Sequence, residues 1–213
     1  QPTVQTALAT PFAIQISDDD ATIVATAASS DKVFTMDAKS GEVLGRVKVG
    51  AVPRGIALNS AGDGKAKSAW VLNAVENTVS VIDLRNVAEP VMLQTVILDD
   101  PTDPVVKKGR MMFNTAAAST TGTFSCASCH PDGHTDQLLW VLNTPIVTGG
   151  NQIMPRSTMP IRGLRDTEPY HWDGIPGDPH GGNNSFSIHK SVEPNSDIKN
   201  PVTSTRHLID GGL

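Results

Sequence analysis

Aromatic residues make up only 4% of this 213-residue chain, and it has just two cysteines. So few rings leave the core to aliphatic side chains, and one pair of cysteines excludes a densely disulfide-stapled scaffold. No apolar run approaches the roughly 20 residues that span a bilayer; the longest, "TIVATAA" and "VSVIDL", are strand-sized. Positive charge is not in excess. The 17 Lys and Arg stand against 22 Asp and Glu, a formal net charge of −5, and the basic residues are scattered, which argues against a nucleic-acid partner. Gln1 follows no methionine and no basic-then-apolar leader, so either a removed signal peptide or further chain is expected before it.

What the chain does have is 38% hydrophobic residues, enough for a packed core, and 18 Gly with 15 Pro, a composition of short strands and many turns. The first hundred residues contain an internal repeat. Pro11 falls on Pro53, 42 residues on, and "DKVFTMD" falls on "NTVSVID", so Asp37 meets Asp83 at a spacing of 46. The four extra residues of the second copy are expected in its first turn, the polar "SAGDGKAKS", where insertion costs little.

Each copy reads as four β-rich runs: "FAIQIS", "TIVATA", "KVFTMD" and "GEVLGRVKV", then "GIALN", "AWVLNA", "TVSVID" and "VMLQTVIL". A four-stranded unit of about 40 to 45 residues has the length of a propeller blade. Runs such as "TVSVI" suit a sheet covered on both faces. A small β-sandwich or meander is the alternative. "PRGIALN" and "NTVSVID" resemble the bacterial YVTN-type propeller repeat. Because rings close with about four to eight blades, further blades are expected from elsewhere in a longer chain or from partner chains.

The periodicity stops near Asp99, where "DDPTDP" reads as a linker. "VVKKGRMMFN" follows as a short amphipathic helix, "TAAASTTGT" as a polar loop, and then "SCASCH". Beyond residue 140 the pattern is loop-like, rich in Gly, Pro, Asn and His. Such a stretch needs something besides its own secondary structure to hold it, and a large apolar cofactor would serve.

Three chemistries compete for Cys126, Cys129 and His130. A thioredoxin-type redox pair wants a βαβ context that is missing, and leaves the histidine unexplained. A zinc site needs four ligands; His134 is a nominal fourth, but His130 adjoins Cys129 and is poorly placed to share its metal. Covalent haem accounts for all three residues: two thioethers fix one edge of the porphyrin, and the next residue sends its imidazole to the iron. One haem c is expected in this chain. Its attachment takes place outside the cytoplasm, so a periplasmic, extracellular or cell-surface location is expected.

Around the motif stand Gly109-Arg110-Met111-Met112-Phe113, Ser125 to His130, Thr135-Asp136, Arg156-Ser157-Thr158-Met159-Pro160 and His171-Trp172-Asp173-Gly174. These pieces, in this order over residues 104–178, resemble the haem domain of the bacterial di-haem cytochrome c peroxidase and MauG-like family. The resemblance implies an oxidoreductase acting on peroxide or on a protein or small substrate. It makes His130 the proximal ligand and Trp172 an electron relay, with Asp173 beside it as a hydrogen-bond acceptor or turn residue. Arg156 and Arg162, with Arg165, are candidates for the propionates. Met154 and Met159 are candidate distal ligands, with His134 and His171 behind them. No second C-x-x-C-H occurs in this chain, so a second haem is expected only outside it, in a further haem domain or redox partner protein. A non-catalytic electron-transfer cytochrome, or a surface binding protein using its propeller, is the alternative.

The expected fold class is therefore mixed: all-β propeller blades over residues 1–98, a linker at 99–105, and a mostly α or irregular c-type cytochrome domain over 106–213.

Overall fold

The computed structural model describes residues 2–119, 121–146 and 150–163. It divides into two compact units, one of Gln1–Thr102 with Asn114–Ser125, the other of Asp103–Phe113 with Cys126–Leu213. The stretch 114–125, expected with the second domain, is thus grouped with the repeats.

The first unit is two four-stranded antiparallel meanders in blade order, β1-β2-β3-β4 and β5-β6-β7-β8. Their strands are β1 (Pro11–Ile16), β2 (Thr22–Ala27), β3 (Lys32–Asp37) and β4 (Val43–Lys48), then β5 (Pro53–Ser60), β6 (Ala66–Asn73), β7 (Thr78–Asp83) and β8 (Val91–Ile97). Four of the six residues of β7 are β-branched, and every second residue of the strand, Thr78, Ser80 and Ile82, is buried.

The extra residues of the second copy are not in the turn. Both first turns run five residues, 17–21 and 61–65, while β5 and β6 each have eight residues against six in β1 and β2. Turn chemistry fixes this. Asp19 Oδ1 accepts from Ala21 N at 3.1 Å, and Asp63 Oδ1 accepts from Lys65 N at 3.2 Å, so the two turns superpose in role. Asp20 at φ 56° and Gly64 at φ 82° fill the same left-handed position. At Gly64 a side chain is also unwelcome, because a Cβ would stand 3.1 Å from Asp19 N. The insertion therefore lengthens both arms of the hairpin.

The main core lies between the two sheets, where Val24 and Val33 of the first meet Ala69, Val71, Ile82 and Leu84 of the second. The packing is head-to-tail, as the 46-residue offset reveals. Val24, Thr26, Val33 and Thr35 are fully buried, yet Trp70 and Leu72, the counterparts of Val24 and Thr26, are 50% and 41% exposed. The face that the first blade packs against its neighbour is the face that the second leaves open. The blade-1 turn residue Asp31 accepts from Val52 N at 2.9 Å, securing the lead into β5. Its counterpart Asn77 donates to the Asp99 carbonyl at 2.6 Å, just past β8. Within the same unit Ser125 and Ser29 share a buried hydroxyl contact at 3.1 Å, and a Cβ at Gly122 would stand 2.6 Å from Val4 Cα.

In the second unit, helix α1 (Pro104–Asn114) starts one residue ahead of the expected helix. Asp103 caps it, accepting from Val105 N at 2.8 Å. A single helical turn α2 (Cys126–Cys129) follows, then strands β9 (Leu139–Ile146) and β10 (Gly150–Ser157) paired in one antiparallel hairpin. That hairpin corrects the reading of the chain as loop-like over residues 141–146 and 150–157; the expected mostly α or irregular domain extends to residues outside those described. Pro145 and Pro155 obscured the strands, but a two-stranded ribbon consists of edges, where proline is tolerated. Among the described residues no helix is long and apolar enough to cross a membrane.

Candidate functional site: the Cys126–His130 turn

The turn "CASC" is short because Pro131 follows His130 and cannot continue a helix. His130 N still donates to Cys126 O at 3.0 Å, which keeps the histidine on the helical path. Asp132 and Gly133 then take left-handed backbone, φ 52° and 76°, and reverse the chain. The reversal returns Asp136 N to Cys129 O at 3.0 Å. Two cysteines and a histidine thus sit on one turn, with a carboxylate delivered beside the second cysteine.

Asp136 is the centre of a small polar clasp. One of its oxygens accepts from Leu138 N at 2.9 Å, the other from Trp140 Nε1 at 3.0 Å. Trp140 Nε1 also reaches Thr158 Oγ1 at 3.1 Å, and the Cys129 thiol donates to the same carboxylate. Burial pulls the Asp136 carboxyl upward, but hydrogen bonds from Leu138, Thr158, Trp140 and Cys129 outweigh it and hold the group below the ordinary carboxylate range. Thr135 Oγ1 donates to Thr158 O at 2.8 Å, and Ile161 N to Gly133 O at 2.9 Å, so the end of β10 is stitched to the loop after the motif.

Neither cysteine is in a disulfide. Burial pushes both thiols up, and the nearby Asp136 charge adds to the effect at Cys129. A redox nucleophile needs its thiolate favoured, and here the environment favours the thiol. Among the described residues no three or more His, Cys, Asp or Glu side chains converge to hold a metal ion. His130 is different, because its Nδ1 is buried with no hydrogen-bond partner. A buried polar nitrogen is costly unless a partner meets it.

Arg162 comes to this loop, with Nε donating to Asp132 O at 2.9 Å. Met159 lies on the stitched segment between the bonds made by Thr158 and Ile161, and its side chain is 43% exposed. Met154 and Arg156 lie on β10, in register with Leu142 and Trp140. Trp172 and Asp173, like Arg165, His171, His180, His189 and His207, lie outside the described residues. The contribution of Asp136, Trp140 and Thr158 was not foreseen from the sequence. The continuous apolar run "LLWVL" ahead of "TGG" was the signal for the hairpin that brings them together.

No family model matches the chain. Hydrazine synthase subunit gamma of Kuenenia stuttgartiensis is 38% identical over 76 residues, which are 35% of this chain and 20% of that protein. The chain therefore spans about a fifth of that relative's length. Among solved structures, Kuenenia stuttgartiensis hydrazine synthase is 29% identical with a TM-score of 0.36, covering 42% of this chain and 24% of that one. BamB from Moraxella catarrhalis is 17% identical with a TM-score of 0.37, covering 45% and 26%. These likenesses are to β-propeller proteins and fall on the blade repeats.

Proposed function

We propose that this chain is a c-type haem protein, a redox unit joined to propeller blades, with haem held covalently through Cys126 and Cys129 and its iron held by His130. The observation that carries the reading is the single helical turn bearing both thiols with His130 next to it, its Nδ1 buried and unpartnered. The donor set fits the group: two thiols for two thioethers, one imidazole for one iron. Bound there, haem supplies one-electron chemistry and, where a coordination position stays open, reduction of peroxide.

The chain's own residues do the rest. Cys126 and Cys129 fix one edge of the porphyrin. The loop from Pro131 to Asp136 would hold the second attachment point in place, because Asp136 N is bonded back to Cys129 O. Arg162, pinned to the Asp132 carbonyl, is placed to pair with a propionate, and Arg156 is a second candidate. The finer reading, taken from the family resemblance, is a peroxidase-like oxidoreductase of the di-haem cytochrome c peroxidase and MauG-like kind. In it Trp172 and Asp173 serve the reaction, and electrons arrive from a second haem or a redox partner outside this chain. A relative named as a subunit of a synthase is in keeping with work inside a larger redox assembly. Haem attachment at C-x-x-C-H implies an exported protein, in the periplasm or at the cell surface. On the blade side, the open face with Trp70 and Leu72 is placed to take further blades, from the same polypeptide or another.

One observation favours a second reading. Met159 stands exposed on the segment stitched to the motif loop, a candidate to hold the iron together with His130 in an electron-transfer cytochrome. The optical spectrum of the haem-loaded chain separates the two. A high-spin spectrum that shifts on adding peroxide supports peroxidase-like chemistry; a low-spin one indifferent to peroxide, converted to high-spin by Met159→Ala, supports electron transfer alone.

A further inference from the structure

We propose that Asp136 is a positioning residue for the redox centre: a fixed negative charge, held beside Cys129 by Trp140 and Thr158, that lowers the haem's midpoint potential. The inference rests on the haem reading and adds a determinant of driving force to it. Cys129 becomes one of the two covalent links to the porphyrin, so a carboxylate whose own backbone is bonded to Cys129 is a charge near that link. The Asp136 backbone is tied to the Cys129 carbonyl at 3.0 Å, and its two oxygens are committed to Leu138 N at 2.9 Å and Trp140 Nε1 at 3.0 Å. A surface carboxylate free to rotate would be averaged by solvent; one held by fixed donors keeps its charge in place. Negative charge nearby stabilises the ferric form relative to the ferrous, and burial and hydrogen bonding around the attachment site are recognised levers on potential. The Trp140 indole, 39% exposed, acts here only through the carboxylate it orients.

The test is a spectroelectrochemical titration of the full, haem-loaded chain at low salt, for wild type, Asp136→Asn and Asp136→Glu. Covalent loading is established first by intact mass. The expected result is an upward shift of midpoint potential in Asp136→Asn, with Asp136→Glu near wild type and the gap between the variants narrowing in high salt. An Asp136→Asn potential equal to wild type at full loading overturns the proposal and leaves the haem reading standing; a wild-type chain without covalent haem fells the haem reading itself. Should Asp136→Asn fail to load, Asp136→Ser, also neutral and also an acceptor for Trp140, replaces it. If both neutral variants fail while Asp136→Glu loads, Asp136 serves attachment or folding, and the electrostatic role is rejected.

Discussion

The two units hold their shape by different means. The blade unit is secured many times over: by ladder bonds on both sides of β2, β3, β6 and β7, by the Val24–Ile82 core between sheets, and by Asx turns repeated at Asp19 and Asp63. The motif unit, as far as it is described, rests on one 11-residue helix, one helical turn and one hairpin, joined to the motif loop by a small set of hydrogen bonds around Asp136, Thr135 and Ile161. The first is redundant; the described part of the second has fewer bonds to lose. A redundant fold yields gradually to substitution, whereas covalent attachment in the motif unit depends on two particular cysteines.

The largest effects should accordingly come from the motif. Cys126→Ser with Cys129→Ser should abolish covalent haem altogether, read by denaturing gel and haem stain, while the blade unit keeps its far-UV signal. His130→Ala should leave attachment possible but change the iron's ligation, seen as an altered Soret band; an unaltered band would contradict its role as ligand. Next in size is the inter-sheet core: Ile82→Ala should cost about 2 to 5 kcal/mol in urea unfolding of the blade unit, without removing haem. Loss of haem from that variant would show the two units to be less independent than their construction implies. Smaller again is Gly64→Ala, at φ 82° and in close approach to Asp19, with an expected cost of about 1 kcal/mol.

The mildest effect concerns pH. Hydrogen bonds and charge from Arg85 hold the Asp83 carboxyl down at about 2, against an ordinary value of 3.8. A carboxyl lowered on folding contributes stability that is present above 3.8 and is lost as pH falls toward about 2. Asp83→Asn should therefore flatten part of the acid unfolding of the blade unit over that window, with the variant less stable than wild type at neutral pH and the two converging as pH falls toward about 2. An acid profile identical to wild type would assign the dependence to other groups, Asp37 and Asp63 first, since backbone amides of Ser40 and Lys65 lower these as well.

Much of the blade unit was legible in the sequence because its signals are local and occur twice. "TIVATA", "KVFTMD" and "TVSVID" are β2, β3 and β7 to the residue, set by β-branched enrichment between polar turns. The four extra residues were misplaced because length alone cannot separate a longer turn from longer arms; the equivalence of Asp19 and Asp63 decides it. The cysteine turn was legible for another reason, since covalent chemistry demands that spacing. Its support was not. Nothing local in Asp136, Trp140 or Thr158 announces that a carboxylate, an indole and a hydroxyl from three places will meet, and the proline-bearing hairpin that brings them together looked like loop.

Intact mass of the purified chain, produced alongside a c-type haem maturation system and denatured before injection, tests the central claim most directly. The account predicts the polypeptide mass plus one haem, with Cys126 and Cys129 refractory to alkylation. Unmodified polypeptide with two alkylatable thiols would contradict it.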